Sequence, residues 1–153
     1  MSNEIDELKA RLREYEQLVE ELSAPIIPSI IPETILVPLM GTLTEQRFQL
    51  IQEKVLNTIA NDGSDTVLID FTGINLNDVD RMGLDGLSCQ VSQLNSALDV
   101  MGVKTVFVGF SPEFVRAIVT AGVDVSRYHV HASFRTALQH VMRDKGLEFN
   151  DLR

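Results

Sequence analysis

The segment TVLIDF at residues 66–71 is a nearly continuous run of residues that favour β-structure. Such a run is typical of a strand covered on both faces, because a strand with one wet face alternates polar and apolar side chains. KTVFVGF at residues 104–110 has the same character, and TILVPLM at residues 34–40 is a third strand, which contains a proline. Segments whose apolar residues have helical periodicity lie between these strands. The alternation predicts an α/β domain with a mostly parallel sheet.

Capping residues mark the helices of this domain. Thr44, Ser111 and Ser133 are predicted N-caps, and Gly63 and Gly102 stand where two helices should end. Shorter strands are expected at residues 26–31, on an edge of the sheet that tolerates proline, and at residues 128–132. We therefore expect a mixed sheet of four to five strands flanked by about four helices. The predicted boundaries are an N-terminal helix at 1–22, the α/β domain at 23–145 and a C-terminal tail at 146–153.

The first 22 residues have the heptad pattern of a coiled coil. Intervals of 3, 4, 3, 4 and 3 residues separate the apolar side chains Ile5, Leu8, Leu12, Tyr15, Val19 and Leu22. In a parallel pair, Glu4 would lie near the partner's Lys9 and Arg11 near the partner's Glu16, with opposite charges in both pairs. The pattern predicts a coiled-coil homodimer. The same spacing also serves packing within one chain, so a helix folded back onto its own domain is the alternative.

Composition and charge narrow the class of protein. The chain has 153 residues, 44% of them hydrophobic, which is enough for one well-filled core. Its net charge is −9, and Lys and Arg form no stripe along which a phosphate backbone could run, so we expect no nucleic-acid partner. No apolar stretch has the length of a membrane span and the first residues do not resemble a signal peptide, which indicates a cytoplasmic protein with no membrane partner. Cys89 is interpreted as a reduced, structural thiol.

No pattern of catalytic, cofactor-binding or metal-binding residues stands out. Nucleophile-elbow and phosphate-loop motifs are absent from the sequence, so we predict a protein that is not an enzyme and needs no cofactor. His129 and His131 would share one face of a strand, with His140 on the following helix, but a third metal ligand is not evident from the spacing. Asp78 and Asp80 are better explained as helix-capping carboxylates than as an acid and a base.

The loop that follows the strand at residues 66–71 is the best candidate for recognition. It leaves the carboxyl edge of the predicted sheet, where ligands and partners usually meet an α/β fold. The loop is polar and mostly acidic, and the Met82-Gly83 step would let another surface approach closely. We predict a partner-binding surface formed by Asp78, Val79, Asp80, Arg81 and Met82.

Several segments together resemble the STAS family. They are VLIDFTG at residues 67–73 with the acidic loop and helix after it, and GVKTVFVGFSPE at residues 102–113. LSAPIIP at 22–28, LMGTLT at 39–44 and AGVD at 121–124 are similar to one branch, the C-terminal domains of bacterial stressosome co-antagonists and their blue-light-receptor relative. The resemblance implies activity by binding rather than by catalysis. It also implies regulation by phosphorylation, and partners that are other STAS proteins, a switch kinase or an anti-sigma factor.

Two positions depart from the family pattern. The resemblance implies one phosphate-accepting Ser or Thr in the loop and a second in the helix after the Pro-Glu pair, and ungapped matching places Val79 and Ala117 there. Neither residue has a hydroxyl group. The sequence therefore predicts a non-catalytic interaction or scaffold module of bacterial stress or sigma-factor signalling, of the anti-sigma-factor antagonist type, without the usual phosphoacceptors. Thr72, Ser88, Ser111 and Thr120 are hydroxyl-bearing residues near the matched positions.

Two other functions stay open. The chain could be a STAS regulatory domain that binds a small ligand or a nucleotide, although Arg81 is the one basic residue in the loop and phosphates are therefore disfavoured. A small hydrolase would need a nucleophile and a base, which no motif of the sequence supplies.

Overall fold

The computed structural model describes residues 2–23, 25–74, 83–120, 122, 126 and 128–147, and within the first helix it describes the side chains of residues 3–15. Within these ranges the chain has five helices and five strands. In order they are α1 (Ser2–Ser23), β1 (Ile27–Pro28), β2 (Thr34–Met40), α2 (Glu45–Asp62), β3 (Thr66–Gly73), α3 (Gly83–Val100), β4 (Lys104–Val108), α4 (Pro112–Thr120), β5 (His129–His131) and α5 (Phe134–Asp144).

The strands form one sheet in which spatial order follows chain order, β1-β2-β3-β4-β5. The edge strand β1 is antiparallel to β2, and the remaining pairs are parallel. Leu68 in β3 lies opposite Leu36 in β2 and Val106 in β4, which fixes the register at the centre of the sheet. The predicted mixed, mostly parallel α/β sheet with an N-terminal helix is therefore confirmed.

The two faces of the sheet have separate hydrophobic cores. Val67 and Ile69 of β3 belong to a large cluster with buried residues of α2, α3 and α4. Leu68, between them in sequence, belongs to a second cluster with Ala137 and Val141 of α5. Successive strand residues point to opposite faces, so one strand supplies both cores. Three helices cover one face, and α5 covers the other.

The predicted helix caps are present. The hydroxyl oxygens of Thr44, Ser111 and Ser133 each accept a hydrogen bond from the backbone N–H three residues later, at 3.0, 3.1 and 3.2 Å. Gly63 ends α2 with a left-handed φ of 69°. These bonds satisfy N–H groups that have no partner within the helix.

The first edge strand is shorter than expected. The strand predicted at residues 26–31 is reduced to Ile27–Pro28, because the chain turns immediately afterwards: the Ser29 N–H donates to the Thr34 carbonyl oxygen at 2.9 Å. This turn leaves Ile30 75% exposed and buries Ile31 in the core beneath α5. The strand predicted at 128–132 is likewise reduced to His129–His131.

Two further observations concern the ends of the domain and the single cysteine. Leu147, inside the predicted tail at 146–153, packs against the core beneath α5. Cys89 is exposed on α3, so its interpretation as a structural residue is wrong. Among the described residues, no helix combines the length and apolar character needed to cross a bilayer.

Candidate functional site

The carboxyl edge of the parallel sheet is where the predicted partner-binding loop begins. The strands β2, β3 and β4 run in the same direction, so their ends at Met40, Gly73 and Val108 lie along one edge. The Ile74 N–H then donates to the Phe71 carbonyl oxygen at 3.0 Å, which turns the chain away from β3. The predicted partner-binding residues Asp78, Val79, Asp80, Arg81 and Met82 lie outside the described residues, between this turn and α3.

The end of β3 packs tightly against β2 on one side and against the turn after β4 on the other. A Cβ atom on Gly73 would lie 2.7 Å from the Leu39 carbonyl oxygen, and one on Gly109 would lie 2.7 Å from the Thr72 backbone nitrogen. Real Cβ atoms do not approach other atoms so closely. Glycine at both positions therefore lets β2, β3 and the turn after β4 come together at this edge.

Asp70 shapes the same strand end. Its Oδ1 accepts hydrogen bonds from the Thr72 backbone N–H at 2.8 Å and from the Thr72 hydroxyl at 2.5 Å. An aspartate that binds the residue two positions later stabilises a local turn. The contact fixes the exposed Thr72 side chain beside the start of the loop. The sequence did not single out Asp70, because one acidic residue in an apolar strand gives no sign of its partner.

An aromatic cluster supports the edge from below. The rings of Phe71, Phe107, Phe110 and Phe114 lie with centroids 4.7 to 6.2 Å apart. They come from β3, β4, the β4–α4 turn and α4, and such ring pairs stabilise a fold beyond their buried area. The loop therefore leaves a rigid base. This cluster was missed at the sequence level, since Phe71 is more than 30 residues away from the other three in the chain.

The hydroxyl groups near the family phosphoacceptor positions differ in accessibility. Ser88 is 1% exposed and donates to the Leu84 carbonyl oxygen at 2.8 Å, so its hydroxyl is inaccessible. Ser111 is engaged as the N-cap of α4, whereas Thr72 and Thr120 are exposed. Ala117 lies half-buried on α4, and Val79 lies outside the described residues.

The described half of α1 presents its apolar side chains to solvent. Ile5, Leu8, Leu12 and Tyr15 are 54 to 65% exposed, so these four residues are not packed against the domain. Val19 and Leu22 continue the heptad in sequence, but their side chains lie outside the described set. A row of exposed apolar residues on one side of a helix is a typical protein-interaction feature.

The three histidines converge on the α5 face of the sheet, next to Lys104. The His140 ring centroid lies 4.9 Å from that of His131 and 5.9 Å from that of His129. Lys104 lies with its Nζ 3.0 Å from His140 Nε2 and forms an ion pair with Asp144. Burial, and then the charge of Lys104, lower the pKa of both His129 and His140. Across the described residues, no group of three His, Cys, Asp or Glu side chains has an arrangement that could hold a metal ion.

Comparison with known proteins gives the family. A model of the STAS domain matches residues 22–137. The chain belongs to the STAS domain family. The predicted resemblance is thus confirmed over residues 22–137, which contain the sheet, α2, α3, α4 and the beginning of α5.

Two curated relatives come from Bacillus subtilis. RsbT co-antagonist protein RsbRA is 32% identical over 121 residues, which are 79% of this chain and 42% of the relative. RsbT co-antagonist protein RsbRB is 30% identical over 132 residues, which are 86% of this chain and 45% of the relative. This STAS chain therefore spans less than half the length of these curated relatives.

A solved STAS structure has the same fold. A variant of RsbS from Moorella thermoacetica superposes with a TM-score of 0.67 at 16% sequence identity, covering 81% of this chain and 98% of that one. At this identity the likeness shows the fold alone.

Proposed function

We propose that this STAS chain is a non-catalytic protein-interaction module of bacterial stress or sigma-factor signalling, of the stressosome or anti-sigma-factor antagonist type. Its partners would be other STAS proteins, a switch kinase or an anti-sigma factor. The observation that carries the proposal is the STAS match over residues 22–137, together with relatives that are RsbT co-antagonists by name.

The partner would bind at the carboxyl edge of the sheet. Asp78, Val79, Asp80, Arg81 and Met82 would form the contact surface above the aromatic cluster. Gly73 and Gly109 let β2, β3 and the turn after β4 pack closely where this loop begins, which supports a fixed starting point for the surface. Since Val79 and Ala117 have no hydroxyl, the surface would work without phosphate at the two family positions.

The same proposal assigns α1 to self-association. Its exposed apolar row at Ile5, Leu8, Leu12 and Tyr15 would pair with the equivalent row of a second copy. A dimer would present two carboxyl edges at once, which increases avidity for an assembly that repeats its binding sites.

Charge reversal at the loop tests the partner-binding surface. The chain is immobilised and exposed to a purified STAS protein and a purified switch kinase from the same organism. We expect Asp80→Lys to weaken capture of at least one of them by about ten-fold or more, because reversing an interface charge replaces attraction by repulsion. Glu53→Lys, the same charge change at an exposed position of α2, should have no effect. If both variants capture the two partners equally well, the loop is not part of the interface.

The alternative function was a STAS regulatory domain that binds a small ligand or a nucleotide, and one specific observation favours its small-ligand form. A polar cavity lies at the opposite edge of the sheet, away from the proposed partner surface.

A further inference from the structure

A polar cavity of about 790 Å³ lies between the second half of α3 and the beginnings of β4 and β5. Its volume falls within the range of roughly 300 to 1,000 Å³ that is typical of small-molecule sites. Val103 and Lys104, at the start of β4, line the cavity. Because the strands are parallel, this is the edge of the sheet opposite to the carboxyl edge.

One wall of the cavity is a polar face of α3. Ser92, Asn95, Ser96 and Asp99 all line it, at positions i, i+3, i+4 and i+7 of the helix. Residues with this spacing lie on one side of a helix. Two hydroxyls, an amide and a carboxylate therefore point toward the same space, while Leu94 and Leu98 on the other side of α3 are buried in the core.

The floor of the cavity holds a buried oxygen without a partner. Thr105 is 4% exposed, and its Oγ1 makes no hydrogen bond to any described residue. A buried hydroxyl that stays unpaired loses the hydrogen bonds it makes in water, so such a group is expected to meet a ligand or an ordered water. Thr105 lines the cavity, so that is the space from which its partner would come.

Tyr128 forms part of the opposite wall. Its ring packs against Phe107 with centroids 5.5 Å apart, so the position of the ring is fixed. Burial raises the pKa of Tyr128, against a smaller opposing effect of a hydrogen bond with Ser92, so its hydroxyl stays protonated at neutral pH, as that of an unperturbed tyrosine also does. An aromatic ring beside several hydroxyl groups offers both an apolar surface and polar contacts to a ligand.

The charges around the cavity disfavour an anion. Lys104 and His129 are the basic residues in its lining. The Lys104 ammonium group is already engaged by Asp144 and His140, and burial, followed by the charge of Lys104, lowers the pKa of His129 and so favours its neutral form. Asp99 contributes an exposed carboxylate, and the whole chain has a net charge of −9. A phosphate or carboxylate ligand would therefore be repelled, whereas a neutral ligand rich in hydroxyl groups would find donors and acceptors.

We propose that this cavity binds a small uncharged polyhydroxylated molecule of the monosaccharide or polyol class. A ligand hydroxyl would pair with Thr105 Oγ1, and neighbouring hydroxyls would be held by Asn95 and Asp99. This site is separate from the proposed partner surface and does not depend on it. Binding of such a metabolite would regulate the domain from the edge of the sheet opposite to the one proposed to bind its protein partners.

Nuclear magnetic resonance of the full ¹⁵N-labelled chain tests the proposal. D-glucose, D-ribose, myo-inositol and glycerol are titrated separately to millimolar concentration. We expect at least one of them to cause saturable shifts in the amide resonances of Asn95, Asp99 and Thr105. Thr105→Val and Asn95→Leu should each weaken that binding about three- to ten-fold, the loss that corresponds to one hydrogen bond.

The variants separate ligand binding from structure. Thr105→Val keeps the shape of the side chain and removes an unpaired oxygen, so the fold should be retained. Thr120→Val, at an exposed position of α4, is the matched control and should bind like the unaltered chain. The proposal is overturned if none of the four probes gives saturable shifts, since the Thr105 hydroxyl then binds water alone. It is also overturned if both cavity variants bind as well as the control, or if inorganic phosphate binds more tightly than every probe.

Discussion

Gly109, at the turn after β4, lies against Thr72 of β3 so closely that a Cβ atom on the glycine would be 2.7 Å from the Thr72 backbone nitrogen. Gly109 also has a φ of 80°, in the left-handed region. Its N–H donates to the His131 carbonyl oxygen at 3.0 Å. This one residue therefore fixes the distance between the ends of β3, β4 and β5, at the edge from which the loop after β3 begins.

Replacing Gly109 by alanine should destabilise the domain more than a left-handed glycine alone would explain. A non-glycine residue in this conformation costs about 1 to 2 kcal/mol, and forced contacts in a packed region add about 1 to 3 kcal/mol. Gly63→Ala is the matched control, because Gly63 has a φ of 69° but open space around it. Urea unfolding of both variants checks the difference. If Gly109→Ala and Gly63→Ala lose the same free energy of unfolding, the strand ends make room for the added Cβ atom without an energetic penalty.

Replacing Leu12 by aspartate should weaken self-association. In the proposed coiled coil Leu12 occupies a seam position, where a charge would be buried without a partner. Ala10→Asp is the control, since residue 10 is at position f of the preceding heptad, on the outer side of the helix, and is exposed. Sedimentation equilibrium should show a dimer for the control and a shift toward monomer for Leu12→Asp. If the Leu12→Asp variant is still a dimer, the dimer interface lies in the STAS domain and not in α1.

Incubation with a cognate switch kinase should leave the chain without stoichiometric phosphate. Val79 and Ala117 cannot accept phosphate, Ser88 is buried, and Ser111 is engaged as a helix cap. Intact-mass measurement checks this, with Thr72→Val and Thr120→Val as variants, because these are the exposed residues among the four hydroxyl-bearing residues near the matched positions. One phosphate per chain that disappears in either variant, with loss of partner capture, would show that a displaced phosphoacceptor operates.

Acidification between about pH 7 and pH 5 should destabilise the contact between β5 and α5. All three histidines of the chain belong to this cluster. The pKa values of His129 and His140 are lowered, first by burial and then by Lys104 and the neighbouring histidines; Arg143 also acts on His140, and Asp144 is the nearby carboxylate. The unfolded chain therefore binds protons before the folded chain does, so this contribution to stability is complete above about pH 7 and is lost as the pH falls through the unfolded pKa of about 6.5.

Thermal unfolding at pH 7.5 and pH 5.5 measures this effect. His140→Gln keeps a hydrogen-bond acceptor for Lys104 but does not titrate, so its drop in Tm between the two pH values should be smaller than that of the unaltered chain. Arg135→Gln, an exposed change on the same helix, should retain the full drop. Identical pH dependence in all three proteins would exclude the histidine cluster as the cause.

The long strands and helices could be predicted because each depends on local sequence. The strand at residues 34–40 and the helix after Thr44 were predicted with the bounds that the structure has, since a continuous apolar run and a capping residue act on their own segment. The edge strand at residues 26–31 was overestimated because the hydrophobic residues Ile30 and Ile31 suggested continued pairing. Instead a turn sends Ile31 into the core and Ile30 to the surface.

The features that depend on distant segments could not be predicted. His140 approaches His131 because α5 packs back across β4 and β5, which the spacing of the histidines in sequence does not reveal. Thr105 was assigned to a buried strand, but its lack of a hydrogen-bond partner depends on what α3 places above it. The strand and helix patterns on either side gave the position of the loop at residues 78–82 without giving its conformation.

The chain-ordered sheet has a consequence for how the protein is made. During synthesis each new parallel strand can add to an edge that already exists, because no later strand must insert between two earlier ones. Domains generally begin to fold from the N-terminal side as the chain emerges from the ribosome. The face that carries Leu68, Val106 and Val108 nevertheless stays bare until Ala137 and Val141 of α5 emerge. A nascent chain that stalls before residue 134 would therefore expose an apolar sheet face, the kind of surface that chaperones bind and that aggregates form from.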